Sequence, residues 1–157
     1  MRSPRRILIL AVVSAAALLA LAGTARADQA FHTLKAPLSA VGNAPLHSGW
    51  VSDSHANGPN IGAHEEYHVT GASPNTTYQV QIQFYPGVTG CPAGGAVVPP
   101  ISTASFTTNA SGNGNAKWVF PGGPKTPITQ NSAIWQLVGP GDVVAYQTDC
   151  QLVLIGG

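Results

Sequence analysis

The chain has 157 residues, with seven Lys or Arg against six Asp or Glu, and four of the seven basic residues (Arg2, Arg5, Arg6, Arg26) fall at its N-terminus. Residues 28–157 hold Lys35, Lys117 and Lys125 against Asp28, Asp53, Glu65, Glu66, Asp142 and Asp149, a formal charge of 3 − 6 = −3 with no arginine. Three scattered lysines cannot neutralise a row of phosphates, which excludes nucleic acid and anionic membrane surfaces as partners.

Arg2, Arg5 and Arg6 precede an apolar run over 7–21, which gives way to small residues ending Ala25-Arg26-Ala27. This pattern predicts a signal peptide over 1–27, cleaved to leave a secreted protein of the extracellular space or cell envelope. The run is shorter than the roughly 20 residues a membrane-spanning helix needs, and no span is expected in the mature chain. Residues 28–157 have the size of a single domain. Eighteen glycines, thirteen prolines and only 8% charged residues suit short strands joined by tight turns rather than amphipathic helices.

The first strand candidates are 31–34 and 49–52, separated by proline-punctuated segments. The stretch 53–63 reads as a loop, because Asn57-Gly58-Pro59-Asn60 is a strong turn signal. Strands follow over 65–70 and 77–85. In the second, Tyr78, Val80, Ile82 and Phe84 alternate with Gln79, Gln81 and Gln83, the period-2 mark of one buried and one wet face. Residues 86–103 show no alternation and read as a surface loop. A hairpin is predicted from 104–108 and 115–120, with Ala116, Trp118 and Phe120 on one core-facing side. After a Pro/Gly loop over 121–132 come strands at 133–138, 143–147 and 151–155, with 148–150 either a bend in one strand or a turn. Seven or eight short strands without a helix predict an all-β sandwich.

Cys91 and Cys150 are the only cysteines. In an oxidising compartment they permit one intramolecular pairing, and closing a loop of roughly 60 residues stabilises by about 4 kcal/mol in the chain-entropy view. A zinc or redox site would need more thiols or a C-x-x-C.

The segment Ala72-x-Pro74-x-Thr76-x-Tyr78-x-Val80, preceded by Tyr67-x-Val69, resembles the tyrosine corner of fibronectin type III and other immunoglobulin-like sandwiches. That likeness implies that the Tyr78 hydroxyl bonds the backbone a few residues upstream and pins one sheet to the other. A fainter resemblance, carried by Gly71, Tyr78, residues 107–112 and Cys150, is to neocarzinostatin-type chromophore-binding apoproteins of actinomycetes. It implies a small-molecule carrier.

Several constellations are candidates for function. His47, His55, His64 and His68 cluster near Asp53, Glu65 and Glu66, so a metal site drawn from His64, Glu66, His68 and His55 is one expectation. Along a strand at about 3.3 Å per residue, however, His64 and His68 stand roughly 13 Å apart and cannot share one ion. The alternative is a solvated His/Glu face with Tyr67 and Val69 turned inward. No serine sits in a nucleophile elbow, and Glu65 and Glu66 point to opposite faces of a strand, so catalysis is not expected. No cofactor is expected. Trp50, Tyr85 and Trp135 are the candidate ligand-binding aromatics. The expectation is a non-catalytic secreted module whose partner is a protein, a glycan or a small apolar ligand.

Overall fold

The alternation over 77–85 matures into the strand that anchors the fold. A computed structural model describes residues 31–56, 60–86, 90–92, 100–124 and 129–155; the expected signal peptide lies outside them. The described residues form nine strands: β1 (Phe31–Ala40), β2 (Ser48–Ala56), β3 (Asn60–Thr70), β4 (Thr77–Pro86), β5 (Ile101–Thr107), β6 (Gly114–Pro124), β7 (Thr129–Gly139), β8 (Val143–Thr148) and β9 (Gln151–Ile155). Among the described residues there is no α-helix, only a 3-10 turn at Pro140–Asp142.

Every pairing is antiparallel. The strands follow one path, β5-β4-β7-β8-β1-β2-β3-β6, with β9 added on β7. The path ends, β5 and β6, are consecutive in sequence, so the sheet curls into a nearly closed, barrel-like shell. β1 joins its two halves. Residues 31–37 pair with β2, and residues 38–40 pair with β8. The change of partner falls at Pro37, which has no N–H to give to a ladder, so a break in pairing suits it.

Three expected loops give way to strand. β2 and β3 run into the expected loop over 53–63, with Asp53 opposite Glu65, Ser54 opposite His64 and His55 opposite Ala63. β6 continues to Pro124 and β7 starts at Thr129, shortening the expected loop over 121–132, and β5 begins at Ile101 within the expected loop over 86–103. Cross-strand pairing overrides turn-rich composition in each case, since every additional residue pair satisfies backbone groups the curled sheet would otherwise bury. β8 and β9 follow the same edge of β7, interrupted at 149–150. Across that interruption Thr148 Oγ1 accepts the Trp135 N–H at 3.2 Å.

The alternating residues of each strand meet inside. Tyr78, Val80 and Ile82 of β4 pack with Ala133, Trp135 and Leu137 of β7, Val51 of β2, Tyr67 and Val69 of β3, Tyr146 of β8 and Val153 of β9. Burying each of the large side chains contributes roughly 1.5–3 kcal/mol. Trp118 and Ala116 of β6 pack partly against this core, whereas Phe120, expected inside, is 40% exposed.

The corner before β4 is tied to the β5–β6 turn. Thr108 donates through Oγ1 to Ser73 O at 2.6 Å and accepts there from Thr76 N at 3.0 Å, while Ala72 N donates to Gly112 O at 3.0 Å. Thr76 Oγ1 closes the corner on Pro74 O at 2.9 Å. The tyrosine-corner expectation changes in one respect. The Tyr78 hydroxyl meets the Tyr146 hydroxyl at 3.3 Å, and it is Tyr146 that makes the backbone bonds, donating to Pro45 O at 2.8 Å and accepting from Ser73 N at 3.3 Å. The Cys91–Cys150 disulfide forms as expected, with Cα atoms 5.7 Å apart.

Candidate functional site

The inward faces of β2 and β3 carry polar groups at one end of the shell. The same alternation that buries Val51 carries Asp53 and His55 inward, and the alternation that buries Tyr67 and Val69 carries Glu65 inward. Asp53 and Glu65, 2% and 3% exposed, face each other across the β2–β3 pair.

Each of these groups is wired into the shell. His55 Nε2 lies 2.8 Å from Asp53 Oδ2, and its Nδ1 lies 3.1 Å from Gly62 O. Both ring nitrogens therefore face acceptors, an arrangement that an imidazolium, with two N–H donors, satisfies. Burial pulls the His55 pKa down, but the hydrogen bond and charge of Asp53, with the Gly62 carbonyl, outweigh it and leave the value raised. Glu65 accepts from the Trp135 indole N–H at 3.2 Å and from the Tyr67 hydroxyl, which in turn accepts from Thr103 at 2.8 Å. Burial and the nearby Asp53 charge push the Glu65 carboxyl up to about 8, so it is a neutral acid at pH 7. Asp53 Oδ1 is buried and has no hydrogen-bond partner among the described residues.

Above these groups lies a cavity of about 200 Å³ along the seam between β5 and β6. Asp53, His55 and Glu65 border its base, but the surface it presents is almost wholly apolar. Ile82, Phe84, Trp118, Trp135 and Val153 make apolar walls, and half-exposed Ile101 and Phe120 stand at the mouth. A second groove of about 220 Å³, lined by residues 32–34 of β1 and by Leu152 and Val153 of β9, shares Asp53, His55 and Val153 with the first.

The structure disperses the residues expected to hold a metal. His64 and Glu66 are exposed on the outer face of β3, where Glu66 Oε1 pairs with Lys117 Nζ at 2.6 Å, and Lys117 draws the Glu66 pKa down. His68 shares that face and stacks on Trp50 with ring centroids 5.6 Å apart. His55 is on the inner face, so the sheet itself separates it from the other three. No group of three or more His, Cys, Asp or Glu converges among the described residues. The aromatic trio separates too. Trp50 is outside, half-buried under Lys35 Nζ at 4.3 Å, while Tyr85 is buried and Trp135, 1% exposed, reaches the cavity from within. Of the three, Trp135 alone lines this cavity among the described residues.

Of the residues bordering the cavity, Asp53 and His55 fall in the expected loop over 53–63, where His55 is expected only as a metal ligand, while Glu65 and Trp118 lie on expected strands with no cavity role assigned to them. The pattern Val51-x-Asp53-x-His55, read as a continuation of the strand from 49–52, is the signal that places both polar groups inward beside Val51. No protein-family model matches the chain, and no curated protein does.

Proposed function

We propose that the chain is a secreted, non-catalytic protein that carries or senses a small, mostly apolar molecule in the cavity between β5 and β6. The observation that carries this reading is the cavity itself, with aromatic walls, an open mouth and an almost wholly apolar surface. Ligand pockets are lined predominantly by apolar and aromatic side chains in this way. The volume fits one or two rings, given that an apolar cavity of about 150 Å³ takes up benzene. An immunoglobulin-like sandwich remains the proposed architecture, supported by β1 switching between two strand sets and by the corner at residues 71–77 leading into Tyr78. Export is proposed from the N-terminal pattern, and intact mass of the secreted form should correspond to a chain starting at Asp28.

The binding reading is tested with indole and toluene, followed by intrinsic tryptophan fluorescence and calorimetry. Saturable binding by the native protein is expected, and Ile101→Trp, which plugs the mouth while leaving Asp53, His55 and Glu65 unchanged, should abolish it. Absence of saturable binding of either ring would overturn the reading.

A further inference from the structure

Resting on the reading of the cavity as a ligand site, we propose that it is built for a compact, uncharged ring hydrocarbon, one that brings no hydrogen-bonding group with it. The polar side chains around the cavity are closed to a ligand, and one small residue on β3 makes the room.

The chemistry of the wall comes first. The surface the cavity presents is almost wholly apolar, although Asp53, His55 and Glu65 border it. Those three direct their polar atoms to one another and to the shell. His55 Nε2 is held by Asp53 Oδ2 and its Nδ1 by Gly62 O, while Glu65 accepts from the Tyr67 hydroxyl and the Trp135 indole N–H. Asp53 Oδ1 has no partner among the described residues, but it is buried and out of a ligand's reach. Trp135 gives its one N–H to Glu65, so what it turns to the cavity is carbon. A hydroxyl, amino or carboxyl group entering from water would therefore leave its hydration behind and meet no partner, a transfer that polar groups resist strongly.

The second observation is how the room arises. Along β3 the inward, buried residues run Val69, Tyr67, Glu65 and Ala63, so a series of larger side chains stops at an alanine. Ala63 stands opposite Phe120 and Glu65 opposite Trp118 in the β3–β6 ladder, and the Trp118 and Phe120 rings lie stacked with centroids 5.8 Å apart. The volume that a larger residue at position 63 would fill is left open beside these rings, with Ile82, Phe84 and Val153 bounding it from β4 and β9. Protein interiors are otherwise close-packed, and an unfilled apolar cavity of about 200 Å³ costs stability that an apolar ligand restores. Aromatic faces on several sides suit a flat ring, and the volume holds a fused bicycle or a single ring with a short alkyl group.

The experiment titrates the purified secreted protein by calorimetry with two matched pairs, indene against indole and toluene against phenol. The members of each pair have nearly the same shape and differ in one N–H or hydroxyl. Indene should bind tighter than indole by about tenfold or more, and toluene tighter than phenol by about a hundredfold or more, as in transfer to an alkane rather than to a hydrogen-bonding solvent. Ala63→Leu, which fills the space with apolar atoms, should leave the shell folded and abolish indene binding. A smaller preference for the hydrocarbon in either pair would mean that the wall offers a polar partner, and would overturn the proposal while leaving the cavity reading in place. Binding of none of the four compounds, or undiminished indene binding by folded Ala63→Leu, would overturn both. The two pairs on the native protein decide the matter even if Ala63→Leu fails to fold.

Discussion

Glu65 and His55 set how this protein responds to pH. In the unfolded chain Glu65 gives up its proton near its ordinary value of 4.5, whereas in the folded shell it keeps it to about 8. Between those values the unfolded state binds fewer protons, so stability falls as pH rises, at up to about 1.4 kcal/mol per pH unit from this one group. His55 acts in the same direction. Its pKa is raised above 6.5 on folding, so the stability it adds is complete below 6.5 and is lost as pH climbs through the raised value. Exposed Glu66, held low by Lys117, works the opposite way, but only below the ordinary glutamate range. The melting temperature should therefore drop between pH 5 and pH 8.5, and Glu65→Gln should flatten most of that slope. A native protein that grows more stable across this interval would contradict the buried, protonated Glu65.

A second residue-level prediction concerns which tyrosine pins the corner. Tyr146 bonds Pro45 O, Ser73 N and the Tyr78 hydroxyl, and burial with the adjoining Tyr78 pushes its pKa up to about 12. Removing its hydroxyl strands two backbone groups, so Tyr146→Phe should destabilise by about 2–3 kcal/mol in denaturant titrations. Tyr78→Phe, which loses only the bond to Tyr146, should have the smaller effect. The reverse order would return the pinning role to Tyr78.

At the scale of elements, the turn between β5 and β6 is held by a close approach. Gly112 has φ +75°, and a Cβ there would stand 2.0 Å from Ala72 O. Gly141 has a similar φ of +74° but open space around it. Gly112→Ala should therefore destabilise by more than roughly 2 kcal/mol, and Gly141→Ala by about 1, since the latter meets only the left-handed backbone penalty. Equal melting-temperature shifts would mean that the corner can move away from the turn.

The same scale shows what could be read from the residues and what could not. β4 was legible because its face alternates without interruption from Tyr78 to Phe84, and the outward set His64, Glu66 and His68 follows from the inward set Tyr67 and Val69 by parity alone. The cavity floor was not legible, because polar Asp53 and His55 lie next to Asn57-Gly58-Pro59, and a polar run beside a turn signal looks the same whether it is loop or the inner face of a strand. Only pairing with β3 distinguishes the two, and pairing is a long-range property. Trp135 illustrates the converse. Its place between Ala133 and Leu137 marks it as inward, but which space it borders depends on how β6 arrives opposite β3.

For the whole molecule, the disulfide ties Cys91, in the segment before β5, to the interruption between β8 and β9, across 59 positions of sequence. Reduction should lower stability by about 4 kcal/mol, a drop in melting temperature of roughly 10 °C or more for a domain of this size. Scanning calorimetry with and without reductant measures it, and an unchanged transition would mean that the bond constrains little in the unfolded chain.

The divided strand β1 has a consequence for how the molecule comes apart. Because residues 31–37 belong to one half of the sheet and residues 38–40 to the other, neither half can shed its hydrogen bonds without pulling on the strand that completes its neighbour. Separately produced fragments would each present an unfinished edge to solvent, prone to capture by another chain. Hydrogen exchange in the slowest amides of β2 and β7 should accordingly share one opening free energy, the mark of a shell that unravels as a unit rather than as two layers.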